Sequence, residues 1–256
     1  MPNRLGKLRL FLLVAAASTA RATLVVNGDF ESPGAAFTTD YAALSTNTLP
    51  GWTSTPGNGT GANNYLSTTN STANWIPNPQ SGNYSVQLDS STSPANYTVG
   101  GMLSQTITLT ANTQYLLTFY MSAEVNRVDA GNNPISTISQ LNVILNGGGF
   151  LNQNMVNAAT GTTGFQATSD GLPKATPELT WKQWSLLFTP TINGDVTITF
   201  QDVWVSNGTS SNASLDNVDL SIVPEIGDWR IFAGFVAFVV IAAKFQSKRR
   251  SARASD

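Results

Sequence analysis

Apolar side chains recur at every second position in several short runs of this chain between residues 23 and 223. In the run 196–201, Val, Ile and Phe alternate strictly with Thr, Thr and Gln. A period of two is that of a strand with one face in a core and the other in water. About nine such strands with short loops predict an all-β fold, an antiparallel β-sandwich. The clearest other runs are 84–88, 102–109, 114–121, 141–145, 184–188 and 218–222.

The stretches 37–75 and 155–177 show no such alternation and are rich in Thr, Asn and Gly. They are interpreted as long loops at the ends of the sandwich. Trp52 and Trp184 have flanking patterns that place them in the core. No linker or repeat divides the region, so residues 23–222 are predicted to form one domain.

Composition excludes several classes of function. Cys and His are both absent, which removes disulfides, Cys–His or Ser–His catalytic pairs and the usual zinc sites. Thirteen basic residues against 15 acidic ones leave no broad basic field, so no nucleic acid is expected as a partner.

Residues 1–22 have the order of a secretory signal peptide. Arg4, Lys7 and Arg9 precede a short apolar run, and Ala20 and Ala22 then offer small residues to signal peptidase. Cleavage is predicted before Thr23, with the secretion machinery as a partner. A first core element of the domain is the alternative.

The other end of the chain predicts a membrane anchor. An apolar stretch at 231–243 extends to a transmembrane helix of about 227–245 if Trp229 and Lys244 lie at the two interfaces. The basic tail, residues 244–256, predicts a cytoplasmic C-terminus. A buried terminal helix of the domain is the alternative.

The C-terminal region has three features in order: Val223-Pro224-Glu225, an apolar segment and a Lys/Arg cluster. Residues 223–256 thus resemble the PEP-CTERM sorting signal of bacterial exported proteins, with the motif at 223–226. Ile226 stands where that signal usually has a second Pro. The resemblance implies export, localisation at the cell envelope or release to the surface, and an exosortase as partner.

The edges of the domain carry a second resemblance. Three motifs carry it: Asn27-Gly28-Asp29-Phe30-Glu31, Pro50-Gly51-Trp52 and a closing run at 215–220, Leu-Asp-Asn-Val-Asp-Leu. Together they resemble the motifs of the galactose-binding-like jelly rolls. That fold includes many carbohydrate-binding modules and the choice-of-anchor families. The resemblance implies that the first and last segments of the domain lie side by side.

Several members of that fold hold a structural Ca²⁺ where those segments meet, which implies such a cofactor here. Glu31 and Asp216 are the leading candidate ligands, followed by Asn27 and Asp29, because calcium prefers carboxylate and carbonyl oxygens. The alternative is a simple turn at 27–29 with Asp216 capping a bulge.

Sugar binding requires exposed aromatic rings beside neutral hydrogen-bonding groups. The candidate residues are four loop aromatics, Tyr65, Trp75, Tyr97 and Trp204, surrounded by Asn, Gln and Ser. For Tyr65 and Trp75, packing against their own loops is the alternative.

The leading hypothesis is a non-catalytic exported protein that binds polysaccharide. One alternative is a purely structural surface protein with no ligand. The other is a carbohydrate-active enzyme, which has little support because no spacing pairs the loop carboxylates.

Overall fold

The computed structural model describes residues 23–34, 41–44, 49–57, 63–69, 76–88, 100–124, 137–162, 181–203 and 212–224. Within these residues the chain forms eleven β-strands, two more than the sequence predicts. The strands are β1 Tyr41–Ala43, β2 Thr53–Thr55, β3 Tyr65–Thr68, β4 Tyr84–Leu88, β5 Met102–Leu109, β6 Tyr115–Ser122, β7 Thr137–Gly147, β8 Phe150–Thr162, β9 Lys182–Phe188, β10 Gly194–Val203 and β11 Ala213–Ile222.

The strands form two sheets. One has six strands in the order β1-β3-β4-β11-β6-β9, and the other has five in the order β2-β5-β10-β7-β8. All neighbouring strands pair antiparallel. The predicted antiparallel β-sandwich is therefore confirmed.

The core lies between the sheets and follows from the alternation. In β10 the apolar residues Val196, Ile198 and Phe200 are buried, whereas the Thr and Gln residues between them remain partly accessible. Phe200 contacts Phe119 of the other sheet edge to face, with ring centroids 5.1 Å apart. Such a pair adds about 0.5–1.5 kcal/mol beyond the area it buries.

Trp52 belongs to this core, as predicted. Its ring lies 6.2 Å from Phe200 and 5.6 Å from Phe30. Trp184 is half-buried on the edge strand β9 and packs against the core, with Lys182 Nζ 4.3 Å from its ring centroid. The prediction that Trp184 belongs to the core is therefore confirmed in part.

The prediction of long loops at 37–75 and 155–177 is wrong for part of each stretch. β1, β2 and β3 lie in the first, and β8 continues to Thr162 in the second. β1 to β3 have only three or four residues each, too few to establish a period. β8 is an edge strand whose residues 151–154 are all exposed, so no period of two is visible there.

The N-terminal segment 23–32 connects both sheets without forming a strand. It runs beside β11, where Leu24 N donates to Leu220 O and Val218 N donates to Gly28 O, each at 2.8 Å. On the other sheet, the buried Gln105 amide bonds both the N–H and the carbonyl of Val26. The two ends of the domain thus lie side by side, as the resemblance implies.

Several predictions fall outside the described residues. They are the signal peptide 1–22 with Ala20 and Ala22, Glu225 of the sorting motif, and the anchor and tail at 227–256. Val223 and Pro224 are described and follow β11 directly. In the part of the chain that the structure describes, no helix is sufficiently long and apolar to span a membrane.

Candidate functional site

The outer face of the five-stranded sheet consists mainly of neutral hydrogen-bonding side chains. Alternation places them there, because their neighbours along each strand point into the core. We call this surface the polar face; its described side chains are Thr53, Thr55, Met102, Ser104, Thr106, Thr108, Ile138, Gln140, Asn142, Ile144, Asn146, Asn154, Asp195, Thr197, Thr199, Gln201 and Val203.

Register aligns these side chains in rows across the strands. One row runs from Thr53 through Ser104 and Thr199 to Ile144 and Asn154. Each hydroxyl or amide in the row can both donate and accept a hydrogen bond. The row therefore offers paired donors and acceptors at the strand spacing of about 4.8 Å.

Direct bonds between neighbours orient part of the polar face. Thr106 and Thr197 hydroxyls lie 2.9 Å apart, and Thr108 Oγ1 donates to Asp195 Oδ1 at 2.6 Å. Asp195 is the one charged residue among the described side chains of this face. The surface is thus accessible but almost uncharged.

The outer face of the six-stranded sheet is different because several of its polar residues, on β3, β4 and β11, are buried. Ser67 and Ser85 are neighbours there and their hydroxyls lie 3.0 Å apart, inaccessible to solvent. In the next row Gln87 Nε2 and Ser214 Oγ are buried without a hydrogen-bond partner. The β3, β4 and β11 part of this face, which we call the covered side, is therefore inaccessible, whereas its β9 part and the polar face are accessible.

The covered side contains Glu31, whose carboxylate reaches the loop before β4. Glu31 Oε1 accepts from the backbone N–H of Asn83 at 2.7 Å and of Tyr84 at 2.9 Å, and Oε2 accepts from Asn83 Nδ2 at 3.1 Å. Gly82, with φ of 64°, lies against the same carboxylate, and an added Cβ would collide with Oε1. The loop is therefore shaped around Glu31.

Asp216 of β11 reaches the same loop from the other end of the domain. Its Oδ2 accepts from Gln80 N at 2.8 Å and Ser81 N at 3.3 Å, and its Oδ1 accepts from Asn217 N at 2.7 Å. The Asn217 amide also bonds the Gln80 and Ser81 side chains. Residues 80–84 thus bind both carboxylates and connect the two chain ends.

The backbone is distorted beside each carboxylate. Phe30, directly before Glu31, has φ of 59°, and Asn217, directly after Asp216, has φ of 48°. Left-handed conformations are uncommon outside glycine, above all for a bulky residue such as Phe. At Asn217 the strand pairing also shifts register, which marks a bulge between Asp216 and Asp219.

The Asp216 carboxyl is buried in a way that disfavours its charge. Burial raises its pKa from 3.8 to about 7. Hydrogen bonds from the backbone N–H groups of Asn217, Ser81 and Gln80 lower the pKa, and the nearby negative charge of Glu31 raises it further. A cation bound here would offset both the cost of burying a charged carboxylate and its repulsion from Glu31.

The arrangement matches a divalent cation in charge, because the carboxylates of Glu31 and the buried Asp216 both contact the loop 80–84. No cluster of three or more acidic side chains occurs among the described residues. Calcium takes six to eight oxygen ligands. Backbone carbonyls and water would therefore have to complete a site built on Glu31 and Asp216.

The other two predicted metal ligands have different positions. Asn27 closes a turn, with Nδ2 bonding Ser32 O and Pro50 O and Oδ1 accepting from Ser32 N. Asp29 is exposed, and its Oδ1 accepts from Glu31 N at 3.3 Å. The structure thus brings Glu31 and Asp216 together and involves Asn27 and Asp29 in the local turn.

Of the four predicted sugar-binding aromatics, Tyr65 alone is described. It lies on β3, not in a loop, and its ring meets that of Tyr41 edge to face at 5.6 Å. Its register partner is Gln87, so Tyr65 faces outward from the six-stranded sheet, opposite the polar face. Trp75, Tyr97 and Trp204 lie outside the described residues.

Sequence reasoning missed the loop 80–84 as the partner of both carboxylates. Its contribution is made by backbone N–H groups, which leave no trace in side-chain type. The Asn-Pro, Ser-Gly and Gly-Asn pairs in 78–83 were a turn signal that pointed to this loop.

No family model and no curated protein matches this chain. Among solved structures it is similar to TmCBM61 in complex with β-1,4-galactotriose, at 15% identity and a TM-score of 0.43, over 79% of this chain and 99% of that one. It is also similar to the CBM22-1 xylan-binding domain of Paenibacillus barcinonensis Xyn10C, at 13% identity and a TM-score of 0.37, over 72% and 94%. A third similar structure is the K1 cleaved adhesin domain of Lys-gingipain from Porphyromonas gingivalis W83, at 13% identity and a TM-score of 0.36, over 72% of this chain and 97% of that one. These likenesses concern the overall fold alone.

Proposed function

We propose that the protein is a non-catalytic, exported polysaccharide-binding protein, and that the polar face is its binding surface. The observation that carries this proposal is an accessible, almost uncharged array of hydroxyl and amide groups across five strands. A neutral polysaccharide presents hydroxyls that both donate and accept, which is the complement of Thr, Ser, Asn and Gln side chains. A charged polymer would find no ionic partner on the face beyond Asp195.

Apolar contact supports the same ligand class. Met102 and Ile144 lie half-buried among the polar rows and can contact the C–H faces of a sugar ring. Trp204 follows β10 by one residue in the sequence, so it is the predicted aromatic nearest along the chain to the polar face. Trp204 is accordingly the first of the predicted aromatics to substitute.

The chain ends support export and attachment to the cell envelope. In this proposal signal peptidase cleaves after Ala22, and the segment 227–245 anchors the protein in the membrane. The motif at 223–225 then directs recognition by an exosortase. Mass spectrometry of the mature protein from fractionated cells tests this part, because recovery of the intact chain in the cytosol would contradict it.

We also propose that Ca²⁺ binds at Glu31 and Asp216. Its role would be structural: the ion would neutralise the buried carboxyl and hold the N-terminal segment, the loop 80–84 and β11 together. Such a link has particular value in a domain without disulfides, since the chain has no Cys.

The binding proposal is tested with a panel of neutral and acidic polysaccharides and the matched variants Gln201→Glu and Gln183→Glu. Gln201 lies on the polar face, whereas Gln183 is exposed on the outer side of β9. We expect Gln201→Glu to weaken binding of a neutral polysaccharide about tenfold, the effect of roughly 1.4 kcal/mol. Gln183→Glu should leave binding unchanged.

Two results would contradict the binding proposal. Absence of binding across the panel would favour a structural protein without a ligand. Release of shortened sugars from the panel would favour the carbohydrate-active enzyme.

Thermal unfolding with calcium or with a chelator tests the metal site. We expect calcium to raise the Tm of the wild type, and Glu31→Gln to remove most of that increase. Gln retains the oxygen that accepts from Asn83 N and Tyr84 N, so the variant should fold. An equal Tm in calcium and chelator for the wild type would overturn the site.

A further inference from the structure

The domain has one end that carries no charged side chain in any of its four described segments. These segments are 109–115, 146–151, 187–194 and 222–224, and their sequences contain no Asp, Glu, Lys or Arg. Strand register brings them to the same end, since Tyr115 pairs with both Ile222 and Phe188. Leu109 likewise pairs with Gly194.

Hydrogen bonds between the segments make this end a continuous surface. Thr191 N donates to Gly148 O, Asn112 N donates to Pro190 O, and Val223 N donates to Gln114 O, each at 2.8 Å. We call it the exit end, because the chain leaves the sandwich here through residues 223–224.

Large apolar side chains are exposed around the exit end. Ile192 is 62% exposed at the tip of the 191–193 turn, and Leu151 is 89% exposed beside the β7–β8 turn. Leu187 and Ile222, at the ends of β9 and β11, are 54% and 48% exposed. The charged residues Lys182, Glu124 and Asp202 lie toward the opposite end. Asp195 is nearer: it pairs with Thr108, one step beyond the pair of Leu109 and Gly194. An uncharged end with exposed apolar tips is suited to an interface rather than to free solvent.

The chain itself indicates what this interface is. Pro224 is the last described residue, and the predicted membrane segment begins about residue 227. Three residue steps span at most about 10 Å when fully extended. The headgroup layer on each side of the hydrocarbon core is only about 5–8 Å thick. An anchored sandwich therefore has its exit end held within reach of the lipid.

We infer that the exit end docks on the membrane surface, with Ile192 and Leu151 inserted at the headgroup boundary. This inference depends on the membrane anchor of the proposed function and adds an orientation to it. The sandwich stands with its strands inclined to the bilayer and its opposite end in solution. The apolar tips, and the absence of acidic side chains from the four segments, allow insertion of Ile192 and Leu151 next to anionic lipid.

The test uses the full chain with one introduced cysteine, which labels a single position because the natural chain has no Cys. Ile192→Cys reports on the exit end. Gln183→Cys is the matched control, exposed on β9 five residues before the end of that strand. Each variant carries an environment-sensitive fluorophore and is reconstituted into vesicles of equal parts phosphatidylethanolamine and phosphatidylglycerol.

We expect the label at residue 192 to shift to the blue and to lose fluorescence when the vesicles contain a nitroxide lipid. The label at residue 183 should show neither change. If the protein floats with the vesicles but both labels behave as in water, docking is overturned and the anchor stands. A label at residue 192 that is shielded from water yet not quenched by the nitroxide lipid also overturns docking, since protein then covers the exit end. Failure to float overturns the anchor and the docking together.

Discussion

The two outer faces of the sandwich both carry polar residues, yet one is accessible throughout and the other is covered over β3, β4 and β11. On the polar face, Thr106 and Thr108 are exposed and Thr199 is partly accessible. On the six-stranded sheet, Ser67 and Ser214 are buried although they also point away from the core. Outward polar positions therefore have two roles: one face is free to bind a ligand, and the other binds the chain's own loop and termini.

The largest expected effect on the covered side concerns the charge of Asp216. In chelator, its raised pKa means that the folded state binds more protons than the unfolded state between pH about 4 and 7. The contribution of this group to stability is therefore full below pH 4 and is lost as the pH rises to 7. A shift of about three units corresponds to about 4 kcal/mol.

Denaturant unfolding across that pH range, in chelator, measures the effect. Asp216→Asn is the control, and its unfolding free energy should lack this downward slope whatever its absolute stability. Calcium should flatten the slope in the wild type, since the ion binds the ionised carboxyl. A wild type and variant with parallel pH profiles would contradict the account.

The next effect concerns the backbone contact between the N-terminal segment and β11. A Cβ at Gly28 would collide with the carbonyl of Val218, so Gly28→Ala must separate the two segments. We expect a loss of about 3 kcal/mol of unfolding free energy in chemical denaturation. Val26→Ala changes an exposed side chain in the same segment and should cost less than about 0.5 kcal/mol. Equal effects of the two substitutions would show that close packing of the segment does not matter.

The smallest effect compares one hydroxyl on each face. Ser67→Ala removes a buried hydroxyl that bonds Ser85, and we expect a cost of about 1 kcal/mol. Thr106→Val removes an exposed hydroxyl that bonds Thr197, and we expect a cost of less than about 0.5 kcal/mol. Thermal unfolding distinguishes them, and a larger cost for Thr106→Val would reverse the assignment of covered and accessible faces.

The sequence predicts the central strands well because both of their faces are marked. The run 196–201 has an apolar inner side and a Thr/Gln outer side, and β10 has that orientation. β1, β2 and β3 were missed because three or four residues are too few to establish a period. β8 was missed because residues 151–154 are all exposed and show no alternation.

The candidate site was predictable in part. Resemblance of the edge motifs identified Glu31 and Asp216, which the structure brings to one loop. The loop 80–84 was missed because it binds through backbone N–H groups. The polar face was not singled out because alternating Thr, Asn and Gln residues indicate an exposed face and do not distinguish a binding surface. Whether a residue such as Gln87 is covered depends on tertiary packing, which single-strand periodicity does not contain.

Methyl NMR during titration with a neutral polysaccharide tests the central claim most directly. Met102 and Ile144 have methyl groups on the polar face, whereas Leu116 and Leu187 have theirs on the outer side of the six-stranded sheet. We predict that saturating ligand shifts the first pair and leaves the second unchanged. Shifts confined to Leu116 and Leu187 would contradict the assignment of the binding surface to the five-stranded sheet.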